Sequence, residues 1–221
     1  LNSMIDLIWL IPLLPLVGFL VNGLGRNVLP KSLVGVVGCG VVLISFLLSC
    51  GVFSTIYTLR QAGESAIFTQ PVFDWIGAGS AQVSLSFLVD PLSAVMLLIV
   101  TGIGFLIHVY SIGYMQHDAG FAKFFAYLNL FIFFMLLLVL GSNYIVMFIG
   151  WEGVGLCSYL LIGFWFKNSS YASAAKKAFV MNRIGDLGFL IAVFAIFATF
   201  GTFEFAGIFP QAANMTMGDT T

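Results

Sequence analysis

Glu152, Arg183 and Asp186 are ionisable side chains deep within long apolar stretches of this 221-residue chain. Each charge costs about 2.5–3.5 kcal/mol at the centre of a bilayer on the insertion scale. Membrane proteins keep such groups facing a protein interior or a water-filled path, and arrays of them form ion paths and proton relays. The residue types therefore predict an ion path or a proton relay.

Helical geometry places the two carboxylates at similar depth. Glu152 lies about 13–14 Å below the start of its apolar stretch. Asp186 lies about 13–14 Å above Lys177, which is near the start of the next apolar stretch. In a hydrocarbon core about 30 Å thick, both are close to the midplane. Lys176 and Arg183 project within about 20° of one another around the helix, and Asp186 about 60° further round. We therefore expect a polar stripe from Lys176 to Asp186, with Glu152 at its upper end if the two helices pack together.

A purely structural ion pair is the alternative to a relay. Arg183 and Asp186 are three residues apart, a spacing at which intrahelical pairs are common, so both interpretations stay open for them. Glu152 has no partner within its own helix, which favours a transport role for it. The glycines around Glu152 are Gly150, Gly153 and Gly155. Glycines at these positions let another backbone approach closely or leave room for water.

Other reactive residue types fit packing better than chemistry. His108 and His117 are nine residues apart without a third ligand, which favours interface residues over a metal site. Cys39 and Cys50 would be about 16 Å apart on one helix, too far to form a disulfide. We interpret both, and Cys157, as packing residues, and we predict no metal site, phosphate-binding loop or nucleic-acid-binding patch in this chain.

The composition defines the class of protein. Hydrophobic residues make up 61% of the chain and charged residues only 8%, with a mean hydropathy of +1.10. Because soluble domains contain roughly 25% charged residues, this composition excludes an ordinary cytosolic enzyme and a disordered chain. The fold class is predicted to be an all-α polytopic membrane protein.

Six apolar stretches are long enough to cross a bilayer as helices. They are residues 5–24, 33–59, 85–110, 122–141, 143–166 and 176–200. The longest loop, 60–84, ends in an alternation of apolar and serine residues that begins at Val83, after a Gly-Ala-Gly-Ser turn at 77–80. This pattern fits a small β-hairpin, and an irregular loop is an equal alternative.

The distribution of basic residues predicts the orientation. The loops after the first, third and fifth stretches carry six basic residues, and the intervening loops carry only Arg60. The six are Arg26, Lys31, Lys123, Lys167, Lys176 and Lys177. Because basic loops stay in the cytoplasm or matrix, both termini are predicted to lie outside. Lys123 is then expected to anchor the fourth helix at the inner interface.

Five ordered motifs carry a family resemblance. They are LVDPLS at 88–93, GFLIHVYSIGYM at 104–115, FFAYLNLF at 124–131, GWEGVGLCSYLLIGF at 150–164 and KAFVMNRIGD at 177–186. Together they closely resemble subunit L of proton-pumping NADH:quinone oxidoreductase, respiratory complex I, whose mitochondrial counterpart is subunit 5. The resemblance extends over essentially the whole chain from Met4.

The resemblance implies an antiporter-like pump module in a membrane arm, that is, a translocase subunit without redox chemistry of its own. NADH, flavin, iron–sulfur clusters and quinone would be bound by other subunits. The implied partners are other membrane-arm subunits, the lipid bilayer and protons, in a bacterial plasma membrane or the mitochondrial inner membrane. Glu152 matches the glutamate of the family's central Glu–Lys pair. Arg183 and Asp186 match positions implicated in pumping, and Lys176 or Lys177 matches a basic residue before them.

The resemblance also implies a domain organisation. Residues 1–117 would form an N-terminal three-helix region, and 118–221 the first three helices of a truncated antiporter-like domain. The lysine that pairs with Glu152 in the family belongs to the next helix, so residues 1–221 alone are expected not to pump protons. The alternatives are a homologous subunit of a multi-subunit sodium/proton antiporter or membrane-bound hydrogenase, and a non-transporting structural fragment. The residues at 112–115 and 157–159 favour complex I.

Overall fold

A computed structural model describes residues 2–78 and 81–215 of the chain. The elements in chain order are α1 (Asn2–Ile5), α2 (Leu10–Leu24), α3 (Lys31–Gln61), β1 (Phe68–Ala78), β2 (Ala81–Val89), α4 (Pro91–Met115), α5 (Phe121–Leu140), α6 (Tyr144–Ile162), α7 (Ser169–Phe200) and α8 (Phe205–Ala213). Helices α3 to α7 are each long and apolar enough to cross a membrane. The prediction of a mainly helical, polytopic membrane protein is confirmed, with a small two-stranded sheet in addition to the helices. The predicted number of six membrane-spanning helices is not confirmed, because five helices of the described residues are long enough.

The first apolar stretch differs from the prediction. A single helix over 5–24 is wrong, because α1 ends at Ile5 and α2 begins at Leu10 after a turn. Pro12 has no N–H to donate to an earlier carbonyl, so it fits the first turn of α2 and not the middle of a longer helix. With 15 residues, α2 is about 22 Å long, which is shorter than a hydrocarbon core of about 30 Å.

The long loop at 60–84, together with residues 85–89, contains the hairpin that the alternation indicated. Strands β1 and β2 are antiparallel, with Phe68 opposite Val89 and Ala78 opposite Ala81. The predicted start of the third helix at 85 is wrong, because β2 continues to Val89. Asp90 then caps α4 by accepting a hydrogen bond from the backbone N–H of Ser93 at 2.7 Å. The turn residues 79 and 80 lie outside the described part of the chain.

The helices pack around α5, which contacts α2, α3, α4 and α6. Its core side chains include Phe125, Leu136 and Leu140, all fully buried. Helix α7 packs mainly against α6, and among its residues only Ala175, Asp186 and Val193 are buried. Most of the surface of α7 therefore faces away from the bundle.

The bundle has two chemically different ends. At the hairpin end, Gln70 on β1 donates to the backbone carbonyl of Asp6, and Ser84 on β2 donates to Glu204, so both ends of the described chain meet the hairpin. At the opposite end, Lys31 Nζ donates to the backbone carbonyls of Gln116 and Asp118, both at 2.9 Å. The basic loops share this second end. Which end faces the cell interior stays a prediction from the charge distribution.

Candidate functional site

Glu152 on α6 and Arg183 and Asp186 on α7 meet where these two helices pack. The Arg183 guanidinium donates a short hydrogen bond from Nη1 to Glu152 Oε2, and the same nitrogen lies 3.8 Å from Asp186 Oδ2. One cation thus faces two carboxylates on different helices. We call these three residues the charge cluster. The sequence predicted that they share a polar region, and the structure brings them together.

Asp186 is held by a residue that the sequence analysis missed. Its side chain is 7% exposed, and it accepts a hydrogen bond from Trp151 Nε1 at 2.7 Å. The indole of Trp151 also stacks on Phe189, with ring centroids 5.8 Å apart and planes at 17°. Because an indole N–H inside a membrane-spanning segment has no water to bond and requires a protein acceptor, the tryptophan next to Glu152 was the available signal.

The charge cluster opens on one side of α7. A cavity of about 480 Å³ there is lined by all three cluster residues and by apolar side chains of α7. The exposed side-chain fractions are 50% for Arg183 and 22% for Glu152, and the Arg183 guanidinium lies 4.8 Å from the centre of the Phe179 ring. The cationic member is therefore the most accessible one.

A second cavity, of about 420 Å³, lies between α5, α6 and α7. Its lining includes Trp151, Ser158, Asn182 and Asp186. Asp186 thus lines both cavities, one with the full charge cluster and one with neutral polar groups. A carboxylate in this position can exchange protons or hydrogen bonds with groups on either side.

The glycines around Glu152 have two different roles. A Cβ atom added to Gly150 would lie 2.5 Å from the backbone nitrogen of Leu138, and one added to Gly153 would overlap the ring of Phe134. These two glycines let α5 approach α6 closely. A Cβ on Gly155 would meet only Asn182 Nδ2, at 3.8 Å, so this glycine borders the second cavity instead.

Lys176, predicted as part of the polar stripe, and Lys177, a candidate through the resemblance, both lie outside the charge cluster. Lys176 and Lys177 are exposed near the basic end of α7, and neither forms an ion pair with a carboxylate of the described residues. Lys176 lies about 10.5 Å along the helix axis from Arg183 and lines a separate cleft that includes Tyr127 and Tyr159.

The two histidines lie in different surroundings. His108 is buried in α4, with Nδ1 2.7 Å from the carbonyl oxygen of Gly104, whereas His117 is exposed after the helix. The sequence analysis did not single out Asn22 and Asn129, although both are buried and both face Gly38. Polar residues inside apolar stretches were the available signal. Within 2–78 and 81–215, no group of three or more His, Cys, Asp and Glu side chains is arranged for a metal.

Glu204 forms a polar network at the hairpin end that the sequence analysis also missed. Its Oε1 accepts hydrogen bonds from Ser84 Oγ at 3.0 Å and Asn143 Nδ2 at 3.1 Å. Asn143 in turn caps α6 by accepting from the backbone N–H of Val146 at 2.9 Å. The network ties the hairpin to the start of α6 and the end of α7, which are the two helices that carry the charge cluster.

Two family models match the chain. The N-terminal model of complex I chain 5 matches residues 75–125, and the transmembrane model shared by NADH:quinone oxidoreductase and Mrp antiporters matches residues 141–220. Together they cover more than half of the sequence. The second match includes the whole charge cluster.

Named relatives agree with the family models. NADH-quinone oxidoreductase subunit L of Mycobacterium tuberculosis is 45% identical over 203 residues, which are 91% of this chain and 31% of that protein. The chloroplastic NAD(P)H-quinone oxidoreductase subunit 5 of Anthoceros angustus is 42% identical over 204 residues, 91% of this chain and 28% of that protein. NADH-quinone oxidoreductase subunit L of Campylobacter jejuni is 42% identical over 174 residues, which are 79% of this chain and 28% of that protein. The chain thus spans about a third of the length of these relatives.

A solved structure shows the same fold. A chain of an archaeal respiratory membrane complex, the membrane-bound sulfane sulfur reductase, aligns with a TM-score of 0.75 at 18% identity, covering 92% of this chain and 39% of that one. The relatives and the five apolar helices identify a multi-pass protein of a bacterial or organellar membrane. The chain belongs to the family of antiporter-like membrane subunits that includes subunit L of NADH-quinone oxidoreductase and its organellar counterpart, subunit 5.

Proposed function

We propose that this chain is part of a membrane-arm subunit of an NADH:quinone oxidoreductase, in which electron transfer in other subunits drives proton translocation here. The observation that carries the proposal is the charge cluster: one guanidinium between carboxylates of two helices, inside segments that cross the membrane. Groups of this kind are costly in a bilayer and occur where ions or protons move.

The geometry suggests how the charge cluster handles a proton. While Glu152 is ionised, Arg183 pairs with it across the helix interface. A proton arriving on Glu152 removes its charge, so the guanidinium is then attracted to Asp186, whose nearer oxygen is 3.8 Å away. Arg183 needs only a small side-chain movement to change partner. Protonation of Glu152 is thereby converted into a shift of positive charge toward the second cavity.

The remaining assignments follow from the family. Residues 1–117 form the N-terminal region, and 118–221 the start of the antiporter-like domain. Lys176 and Lys177 supply positive charge at the basic end of α7 and tune the relay from a distance. The chain performs no redox step itself and acts with other membrane-arm subunits. The nicotinamide, flavin, iron–sulfur and quinone chemistry takes place in other subunits of the complex.

A sodium/proton antiporter subunit or a membrane-bound hydrogenase subunit is the second candidate. The transmembrane family model that matches 141–220 names Mrp antiporters together with the oxidoreductase. The aligned structure belongs to a third type of respiratory complex. The charge cluster would serve ion exchange in all of these assemblies.

Purification of the native assembly separates the candidates. The full-length gene product would be tagged in its own organism, extracted in mild detergent, identified with its partners by mass spectrometry, and reconstituted into vesicles. We expect NADH-oxidising subunits to co-purify, and NADH with a quinone to acidify one side of the vesicle membrane. An assembly without such subunits that exchanges sodium for protons, or that moves no ions, would contradict the proposal.

A further inference from the structure

A cleft of about 540 Å³ at the basic end of the bundle has no role in the proposed relay. It lies between the loop before α5 and the loop after α6, and we call it the interfacial cleft. It is lined by Asp118, Gly120, Lys123, Phe164, Trp165, Phe166, Lys167, Asn168 and Tyr171. Two ammonium groups and four aromatic rings therefore share one opening.

Lys123 is held in this cleft by aromatic rings instead of by a carboxylate. Its Nζ lies 5.5 Å from the ring centre of Tyr127, 5.8 Å from Phe164 and 5.4 Å from Phe166. Contacts of this kind hold an ammonium in place without neutralising it. Among the described residues, no carboxylate pairs with Lys123 or Lys167 within 4.0 Å.

Asp118 is the one acidic residue among those that line the cleft, and its carboxylate bonds to groups other than the two lysines. Its carboxylate accepts from Trp165 Nε1 at 2.8 Å and from the backbone N–H of Gly120 at 2.6 Å. These two donors, and the nearby Lys31 ammonium, hold the pKa of the Asp118 carboxyl below its usual range. Asp118 therefore fixes the indole that forms one wall of the cleft, and it forms no ion pair with Lys123 or Lys167.

The position of the cleft indicates an amphiphilic occupant. It lies where α5 begins and α6 ends, and Trp165, Phe166 and Tyr171 are 43%, 62% and 46% exposed. Aromatic side chains at the ends of membrane helices lie at the level of the lipid headgroups. Basic pockets between helices at the cytoplasmic or matrix side bind anionic headgroups. A phosphate between Lys123 and Lys167 would leave acyl chains free to follow the apolar surface at Phe166.

We propose that the interfacial cleft binds the phosphodiester headgroup of an anionic phospholipid, with Lys123 and Lys167 as the phosphate-binding residues. Binding would hold the loop after α6 against the start of α5, and hence fix the base of α7. The site is separate from the charge cluster, so it goes beyond the proposed relay and does not depend on it.

The test uses the intact native complex and a phosphatidylglycerol that carries a photoactivatable group on its headgroup. After illumination, mass spectrometry locates the labelled peptides. We expect labelling within 116–126 or 164–171, displaced by unlabelled phosphatidylglycerol but not by phosphatidylcholine or inorganic phosphate. Because one basic residue near a membrane contributes about 1 kcal/mol, K123Q or K167Q should weaken displacement by phosphatidylglycerol about fivefold.

Matched variants separate the lipid site from general surface charge. R26Q removes an exposed basic residue at the same end, outside the cleft, and should leave labelling unchanged, whereas K123R should retain most of it. If K123Q prevents assembly, K167Q at an exposed position carries the test. Absent labelling, labelling insensitive to both lysine variants, equal displacement by phosphatidylcholine, or displacement by inorganic phosphate at the same concentration would each overturn the proposal.

Discussion

Arg183 faces two carboxylates whose surroundings differ, and the roles proposed for them rest on this difference. Asp186 is buried and has a second donor in Trp151, whereas Glu152 is partly exposed and pairs across the helix interface with the arginine. The spacing of Arg183 and Asp186 left an intrahelical pair open, yet their closest approach is 3.8 Å and the shorter contact joins two helices. The sequence identified the charged residues, but their pairing depends on how α6 and α7 are rotated against each other.

The Trp151 indole N–H is predicted to fix the local structure of α7. W151F removes the hydrogen bond to Asp186 and keeps an aromatic ring against Phe189. A buried polar group that loses its partner costs about 1–3 kcal/mol, so amide hydrogen exchange at 183–190 should accelerate about fivefold or more. Hydrogen-exchange mass spectrometry of the intact complex measures this change. W75F, at an exposed tryptophan of β1, serves as the control, and equal exchange at 183–190 in both variants would contradict the assignment.

At the scale of helices and strands, the glycines around Glu152 set the distance between α5 and α6. The sequence allowed two interpretations of these glycines, close approach of another helix or space for water. The structure contains a close helix approach and an open cavity. Gly150 contacts the backbone of Leu138, while Gly155 borders the second cavity near Asn182. A single sequence does not separate these cases, because which neighbour faces each glycine is fixed by tertiary packing.

A matched pair of alanine variants tests this difference. G150A places a methyl group against the backbone of α5, which cannot move aside, and overpacking of this kind costs about 1–3 kcal/mol. G155A adds the same methyl group at an ordinary van der Waals distance from Asn182 and should behave like the wild type. Thermal stability of the subunit within the purified complex measures both. Equal stability of the two variants would show that α5 and α6 do not require the close approach at Gly150.

Element boundaries show where sequence patterns mislead. An apolar run cannot be divided by hydropathy alone, so hydropathy places residues 85–89 in a helix although they form the end of β2. The Asp90-Pro91 pair marked the true start of α4. In the first stretch, the break between α1 and α2 depends on Pro12 and on Gln70 of β1, which donates to the carbonyl of Asp6. Asp6 and Gln70 are 64 residues apart in the sequence, and the periodicity of apolar residues does not indicate a contact between them.

At the scale of the whole molecule, the charge cluster lies at the open side of the bundle. Helix α7 exposes a row of large apolar side chains along the same surface as Arg183. The row consists of Ile184, Leu187, Ile191 and Phe194, all more than 60% exposed. The named relatives are about three times longer than this chain. The position of Arg183 suits a charge path that continues beyond α7.

Composition and motifs predicted the membrane class, the hairpin and the members of the charge cluster, because each depends on local chemistry. They did not predict the Glu204 network or the interfacial cleft. Both join residues far apart in the chain, such as Ser84 with Glu204 and Lys123 with Phe164. These contacts arise from the way the helix ends pack together. No local pattern in a single sequence predicts that packing.

The number of protons pumped per NADH oxidised is the measurement that tests the relay most directly. It would be made on the intact complex carrying E152Q, with E64Q, an exposed glutamate outside the helices, as the matched control. The glutamine keeps the size of the side chain but cannot ionise, so we predict an assembled complex whose pumping per NADH falls severalfold while E64Q pumps like the wild type. An assembled E152Q complex with an unchanged proton-to-NADH ratio would contradict the relay.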